Sequence, residues 1–202
     1  MSYSDFDLKR VRNELGVKLI EQQQVFAAVK PIEISAILAE ILRENVPLAR
    51  AINTEKARSE LIIATILVEV RKMLNHQISL FSGIEFNVDK EKGLNGYCDF
   101  ILSASRQQLI LSSPLVAIVE AKNENIIGGL GQCIAEMVAA SIFNQVENNQ
   151  DITILYGVVT TGTAWKFLKM SGLEVVIDLD EYLIENPDKI LGILSEMLAQ
   201  NA

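Results

Sequence analysis

Leu115-Val116-Ala117-Ile118-Val119-Glu120-Ala121-Lys122 is an apolar run that stops on a glutamate and a lysine. Side chains alternate across a β-strand, so Glu120 and Lys122 project side by side while Val119 and Ala121 face the other way. An apolar strand with two charges at its end is explained if that end lines a site. Upstream, Tyr97–Ser103 reads as a companion strand, with Asp99 near its start in Gly96-Tyr97-Cys98-Asp99-Phe100. If the two strands run antiparallel, the start of one lies beside the end of the other, and Asp99 meets Glu120 at one edge of the sheet. Gly93 and Gly96 keep the approach to Asp99 open.

Outward from this pair the hydrophobic period changes. Asp5–Leu15 and Val17–Val29 read as helices separated at Gly16, and Pro31 opens a third, Ile32–Arg43, which Pro47 ends. Ile34, Ile37, Leu38, Ile41 and Leu42 form its apolar stripe. Asn53 or Thr54 caps a long helix running to Leu74, with Glu55 favourable in its first turn. Beyond it the period drops to two. Ser82–Asp89 reads as a strand, with Ile84, Phe86 and Val88 on one face, and Leu109–Leu111 as a short extra one. Gly128, Gly129 and Gly131 let the chain turn sharply after Lys122 into a helix from Gln132 to Val146. Strands Ile152–Thr160, Thr163–Met170 and Leu173–Ile177 follow, and a helix from Pro187 to Ala199 closes the chain. This order predicts an α/β fold with a mixed β-sheet flanked by helices. Residues 1–53 form its N-terminal helical extension and residues 54–202 its main domain.

Composition narrows the function. Half of the 202 residues are hydrophobic and 22% are charged, which is globular usage. No apolar run approaches the roughly 20 residues that span a bilayer, and Met1–Arg12 lacks a secretory apolar segment, so a soluble, cytoplasmic protein is expected. Cys98 and Cys133 have neither metal-ligand spacing nor a disulfide framework. A single histidine, His76, argues against a histidine-based zinc site or a serine triad. The net charge of −8 runs against nucleic acid, whose ligands cluster Lys and Arg. The charge is uneven: residues 1–59 carry 9 basic and 8 acidic side chains, the remainder 9 and 18. Lys9, Arg10, Arg12, Arg50, Lys56 and Arg58 are the N-terminal side chains available to offset that field. Some of the C-terminal acids would have to serve a metal.

Metal-dependent phosphodiester hydrolysis needs carboxylates converging on a hydrated cation and a group that orients the attacking water. Asp99 and Glu120 supply the first, and Lys122, with a pKa lowered by a desolvated pocket, the second. Glu60 on the long helix is a third carboxylate. Glu69, nine residues on, lies about two and a half turns away and faces roughly the opposite side. Gln132 could bond a phosphate oxygen or a bound water, and the first-turn N–H groups around Gly131 and Gln132 form an anion site.

Asp99…Glu120-x-Lys122, with Glu60 upstream and Gln132 downstream, resembles the core of the PD-(D/E)XK nuclease superfamily. Thr54-Glu55-Lys56-Ala57-Arg58-Ser59-Glu60 and Thr160–Phe167 are most similar to the N-terminal nuclease domains of type I restriction-enzyme motor subunits and their stand-alone relatives. The resemblance covers residues 54–178. It implies a restriction-endonuclease-like sheet and a DNA endonuclease in which Asp99 and Glu120 hold Mg2+ (or Mn2+), with Glu60 as a helix-borne acid. It further implies that Lys122 is catalytic and that Gln132 is the polar residue following the Glu-x-Lys strand. The partners implied are DNA, a second copy for cutting both strands, and a motor or restriction-complex subunit docked on residues 1–53. Cys98 departs from the pattern, which has proline there. Asp7-Leu8-Lys9 repeats the tripeptide on a surface helix, so strand context, not the tripeptide, carries the resemblance. The rival class is a catalytically inactive relative that scaffolds or regulates a partner.

Overall fold

One mixed sheet organises the chain. In the computed structural model, which describes residues 1–149 and 152–199, its strands are β1 (Lys18–Gln22), β2 (Ser79–Glu85), β3 (Tyr97–Ser103), β4 (Leu115–Ala121), β5 (Leu155–Thr160), β6 (Ala164–Ser171), β7 (Glu174–Asp178) and β8 (Tyr182–Leu183). Their order is β1-β7-β6-β5-β4-β3-β2, with β8 on the start of β6. The β1/β7 and β4/β5 pairs are parallel, and the others antiparallel. The helices are α1 (Leu8–Glu14), α2 (Ala36–Ile52), α3 (Glu55–Arg58), α4 (Ala64–Met73), α5 (Ile126–Val146) and α6 (Pro187–Ala199), with a π-helical turn, Ser59–Ile63, joining α3 to α4.

Helices cover both faces of the sheet. Leu38, Ile66, Leu191, Phe100, Val119 and Phe167 belong to the core under α2, α4 and α6. Val11, Ile134, Ile118 and Val175 belong to the core under α1 and α5. All seven residues of β4 are buried, which is why its sequence is continuously apolar rather than alternating. Asn144, near the end of α5, accepts from the Leu115 N–H at 2.7 Å and donates to its carbonyl at 2.8 Å, fixing the helix to the start of β4. α5 is also the one helix among the described residues long and apolar enough to cross a membrane, and 67% of its most apolar window is buried inside the fold.

Several expected elements take other forms. Residues 1–53 are neither wholly helical nor set apart. The Val17–Val29 segment contains strand β1, which completes the sheet edge by parallel pairing with β7. Tyr3, Phe6, Val11 and Val17 enter one core, and Phe26, Leu38, Leu42 and Ala49 the other. The Lys189 ammonium of α6 donates to the carbonyls of Phe26, Ala27 and Val29. α2 starts at Ala36, capped by the Ser35 hydroxyl, and runs through Pro47 to Ile52. Pro47 lies on the exposed side, so the packed stripe carries the helix past it. Leu109–Leu111 forms no strand: Leu109 is 98% exposed in the β3–β4 loop. α5 begins at Ile126, with Asn125 capping the Gly128 N–H at 2.9 Å, so all three glycines lie inside it.

Candidate active site

The antiparallel register of β3 and β4, Phe100 opposite Val119, brings Asp99 to the end of β4. There the Asp99 Oδ2 accepts the Ala121 backbone N–H at 2.7 Å. One residue further, the Lys122 N–H donates to the Thr160 carbonyl at 2.8 Å, so the carboxyl ends of the parallel strands β4 and β5 lie together. In open α/β sheets, that is where ligand crevices form. Lys122 folds back on its strand neighbour, with Nζ 2.5 Å from Glu120 Oε1. Nζ also donates to Gln132 Oε1 at 3.2 Å, and Gln132 Nε2 donates to Glu136 Oε1 at 3.1 Å. The structure thus brings together Asp99, Glu120, Lys122 and Gln132.

The glycines of α5 have a more specific role than a sharp turn. A Cβ on Gly129 would lie 2.9 Å from Lys122 Cε, 3.0 Å from its Cγ and 2.8 Å from Val159 Cγ1. The lysine stem therefore lies in a cradle that only glycine leaves open. A Cβ on Gly131 would meet the Asp7 backbone at 2.4 Å, because the N-terminal segment crosses α5 there. That crossing sits one residue before Gln132.

Burial sets the electrostatics. Glu120 is 1% exposed, and its Oε2 has no hydrogen-bond partner. Desolvation first, and then the nearby Asp99 charge, push its pKa up to about 8. Burial also raises Asp99, against the opposing pull of the Ala121 N–H. The lowered lysine pKa expected from burial is not found. Desolvation does pull Lys122 down, but the charge and hydrogen bond of Glu120 outweigh it and the net shift is upward. Lys122 is an ammonium here, a donor and counter-charge rather than a free base. Glu136, fully buried, is raised well above the usual carboxylate range by desolvation and by Glu120.

Glu60 is not brought to this cluster. It is exposed, pairs with Lys56 at 3.3 Å, and lines an outer groove with Ile37, Ile41, Val68 and Glu69. The π-helical turn at Ser59–Ile63 underwinds the helix at Glu60, so Glu60 and Glu69 share that groove instead of facing opposite sides. The helical acid whose charge reaches Glu120 and Lys122 is Glu55. Glu55 sits in the first turn after the Thr54 cap, and the buried Arg58 anchors this helix start by donating to the Thr161 carbonyl at 3.1 Å and Thr163 Oγ1 at 3.2 Å. Glu136 was missed as well. Its signal in the sequence is that it is the only charged residue in the 21 residues of α5, one helical turn after Gln132.

Of the N-terminal basic residues, Arg10, Arg50 and Lys56 pair with Glu14, Glu185 and Glu60, and Arg58 is buried. Cys98 and Cys133 are free and buried, with thiol pKa values raised by desolvation, so neither is a nucleophile. His76 sits just past α4 with Nδ1 2.7 Å from Arg71 Nη1, away from the cluster. Among the described residues, no group of three or more His, Cys, Asp or Glu side chains is arranged to hold a metal. The protein side of a cation site here would be Asp99 and Glu120. The half-buried Asp99 and the buried Glu120, whose ionised form Asp99 disfavours and whose Oε2 is unpartnered, suit a hard cation that keeps water or phosphate as its remaining ligands. No family model, curated protein or solved structure matches this chain.

Proposed function

We propose that the chain is a Mg2+-dependent nuclease of the PD-(D/E)XK type, acting on DNA phosphodiesters where the start of β3 meets the end of β4. One observation carries the reading: Asp99 and Glu120 converge at the carboxyl end of a buried strand while Lys122 is held beside them by Glu120 and Gln132. Mg2+ or Mn2+, when bound by Asp99 and Glu120, supplies Lewis-acid polarisation of the phosphate and lowers the pKa of the attacking water. Glu55, from the start of α3, adds negative charge to this end of the site. Lys122, a charged ammonium with two acceptors, orients the water or stabilises charge developing on the phosphate. The placement of β4 between antiparallel β3 and parallel β5, followed directly by α5, supports the restriction-endonuclease-like form of this mixed sheet.

A second reading is a non-catalytic relative of the same fold that organises a partner. Two observations favour it: the 2.5 Å Lys122–Glu120 ion pair can close the site by itself, and the N-terminal Arg10, Arg50 and Lys56 are already paired. A related form is a subunit whose partner motor supplies DNA binding, docked on the exposed Ile37, Leu48 and Ile52 of α2. The deciding experiment is cleavage of supercoiled plasmid and single-stranded DNA with Mg2+ or Mn2+, comparing wild type with Lys122→Ala and Asp99→Ala. Metal-dependent cutting lost in both variants supports the enzyme. Cutting that persists in both, or no cutting accompanied by no Mn2+ binding, removes it.

A further inference from the structure

Glu136 has no account in stability. It is the only charged residue of α5, it is 0% exposed, and only one of its carboxyl oxygens has a partner. Burying a polar group with unmet hydrogen-bonding capacity is destabilising, and an apolar side chain of similar volume would avoid that. What Glu136 does have is a defined relation to Gln132, four residues earlier on the same helical face.

A glutamine amide has two unlike ends, an acceptor oxygen and a donor NH2. The Lys122 ammonium only donates, so it needs the oxygen; the Glu136 Oε1, an acceptor whether the acid is ionised or carries its proton on Oε2, takes the NH2. In the observed orientation both needs are met, with Nζ to Oε1 at 3.2 Å and Nε2 to Glu136 at 3.1 Å. Turned over, Gln132 would present its NH2 to an ammonium. Without the Gln132 oxygen, Lys122 would keep Glu120 as its sole side-chain partner, on the carboxylate that the proposed chemistry requires. The stem of Lys122 is already confined by Gly129, so the direction of Nζ depends on these acceptors.

We propose that Glu136 is a positioning residue: from inside the core it fixes the orientation of the Gln132 amide, and through it the direction of the Lys122 ammonium. The catalytic half of this statement rests on the nuclease reading; the orientation of Gln132 does not. The test uses the full chain with Glu136→Gln, which keeps an acceptor oxygen of the same shape, and Glu136→Met, which removes it at similar volume. Two readouts are taken. The Gln132 side-chain NH2 resonances, assigned with Gln132→Met, are followed by nuclear magnetic resonance; metal-dependent plasmid cleavage gives kcat and KM. Glu136→Met is expected to move the Gln132 resonances and lower kcat about 10- to 100-fold, the range for supporting residues around a metal site, with KM unchanged. Glu136→Gln is expected to retain both. Unmoved resonances in Glu136→Met, or equal damage in the two variants, overturns the proposal. If the wild type cuts no DNA, the nuclease reading falls separately, and the resonances alone decide whether Glu136 positions Gln132.

Discussion

Gly129→Ala separates the stability of the fold from the geometry of its site. The added methyl would sit 2.8 Å from Val159 Cγ1 and 2.9 Å from Lys122 Cε, closer than carbon atoms pack. Overpacking of this kind costs about 1–3 kcal/mol. Against it, alanine in place of glycine inside a helix gains about 1 kcal/mol. The two nearly offset, so the net loss is about 0–2 kcal/mol, a fall in Tm of up to about 8 °C for a chain of this length. Lys122 is the softer neighbour, since Val159 is fixed in β5, and the methyl displaces the lysine stem away from α5. A displacement of about 1 Å at a reacting group costs on the order of 100-fold in rate. Thermal melting and metal-dependent plasmid cleavage, run on the same preparation, read the two effects. A folded variant with Tm within that range and cleavage reduced about 100-fold is expected. Wild-type cleavage by a well-folded Gly129→Ala protein would refute the cradle, because Lys122 could then not be where α5 confines it.

Gly131→Ala should behave in the opposite way, because its methyl meets the Asp7 backbone rather than a side chain. A loss of about 3 kcal/mol, or roughly 6–12 °C in Tm, is expected, with the first seven residues becoming sensitive to protease. Asn144→Ala leaves both polar groups of the buried Leu115 backbone unpaired and should cost about 2–4 kcal/mol in a denaturant titration. Glu55→Gln should weaken Mn2+ binding measured by calorimetry, whereas Glu60→Gln, on the outer groove, should leave it unchanged; the reverse result would restore Glu60 to the site. For pH, the folded Glu136 pKa lies well above its ordinary 4.5, so the folded state holds a proton that the unfolded state has released. Its contribution to stability is therefore full below pH 4.5 and is lost as pH rises toward the folded value. In EDTA, Tm should fall from pH 5 to pH 8, and Glu136→Gln should flatten that slope; equal slopes would mean that Glu136 is not buried as a neutral acid.

The central hairpin was legible because its two constraints are local. Alternation places Glu120 beside Lys122, and antiparallel pairing places Asp99 beside them, whatever the rest of the chain does. What stayed hidden depends on contacts distant in sequence. Lys18–Gln22 has no strong strand pattern and becomes β1 because β7 offers it an open edge. Gly128, Gly129 and Gly131 read as helix breakers by propensity, yet α5 runs through them because the Asn125 cap, Lys122 and Asp7 lie where their Cβ atoms would stand. The choice of Glu60 over Glu69 rested on an ideal 3.6-residue turn, which the π-helical turn breaks at Glu60. Pro47 misled for a related reason: a packed stripe outweighs one missing hydrogen bond when the proline faces solvent.

The residues around Lys122 are arranged against stability. Asp99, Glu120 and Glu136 are three carboxyls held where burial raises the pKa of each, and two of their oxygens have no partner. Replacing buried ionic groups with well-packed apolar ones is often neutral or stabilising. A chain whose only task was to build this sheet would have no reason to end its most buried strand on charge. Nor would it need a glycine beside Lys122 or a lone glutamate inside α5. These departures lie on three different elements, β3, β4 and α5, and converge on one ammonium. Strongly perturbed groups gathered in this way mark sites of chemistry more often than accidents of packing. The scaffold reading explains the ion pair but leaves Gly129, Gln132 and Glu136 without a purpose. A site that must hold Lys122 in one direction explains all three.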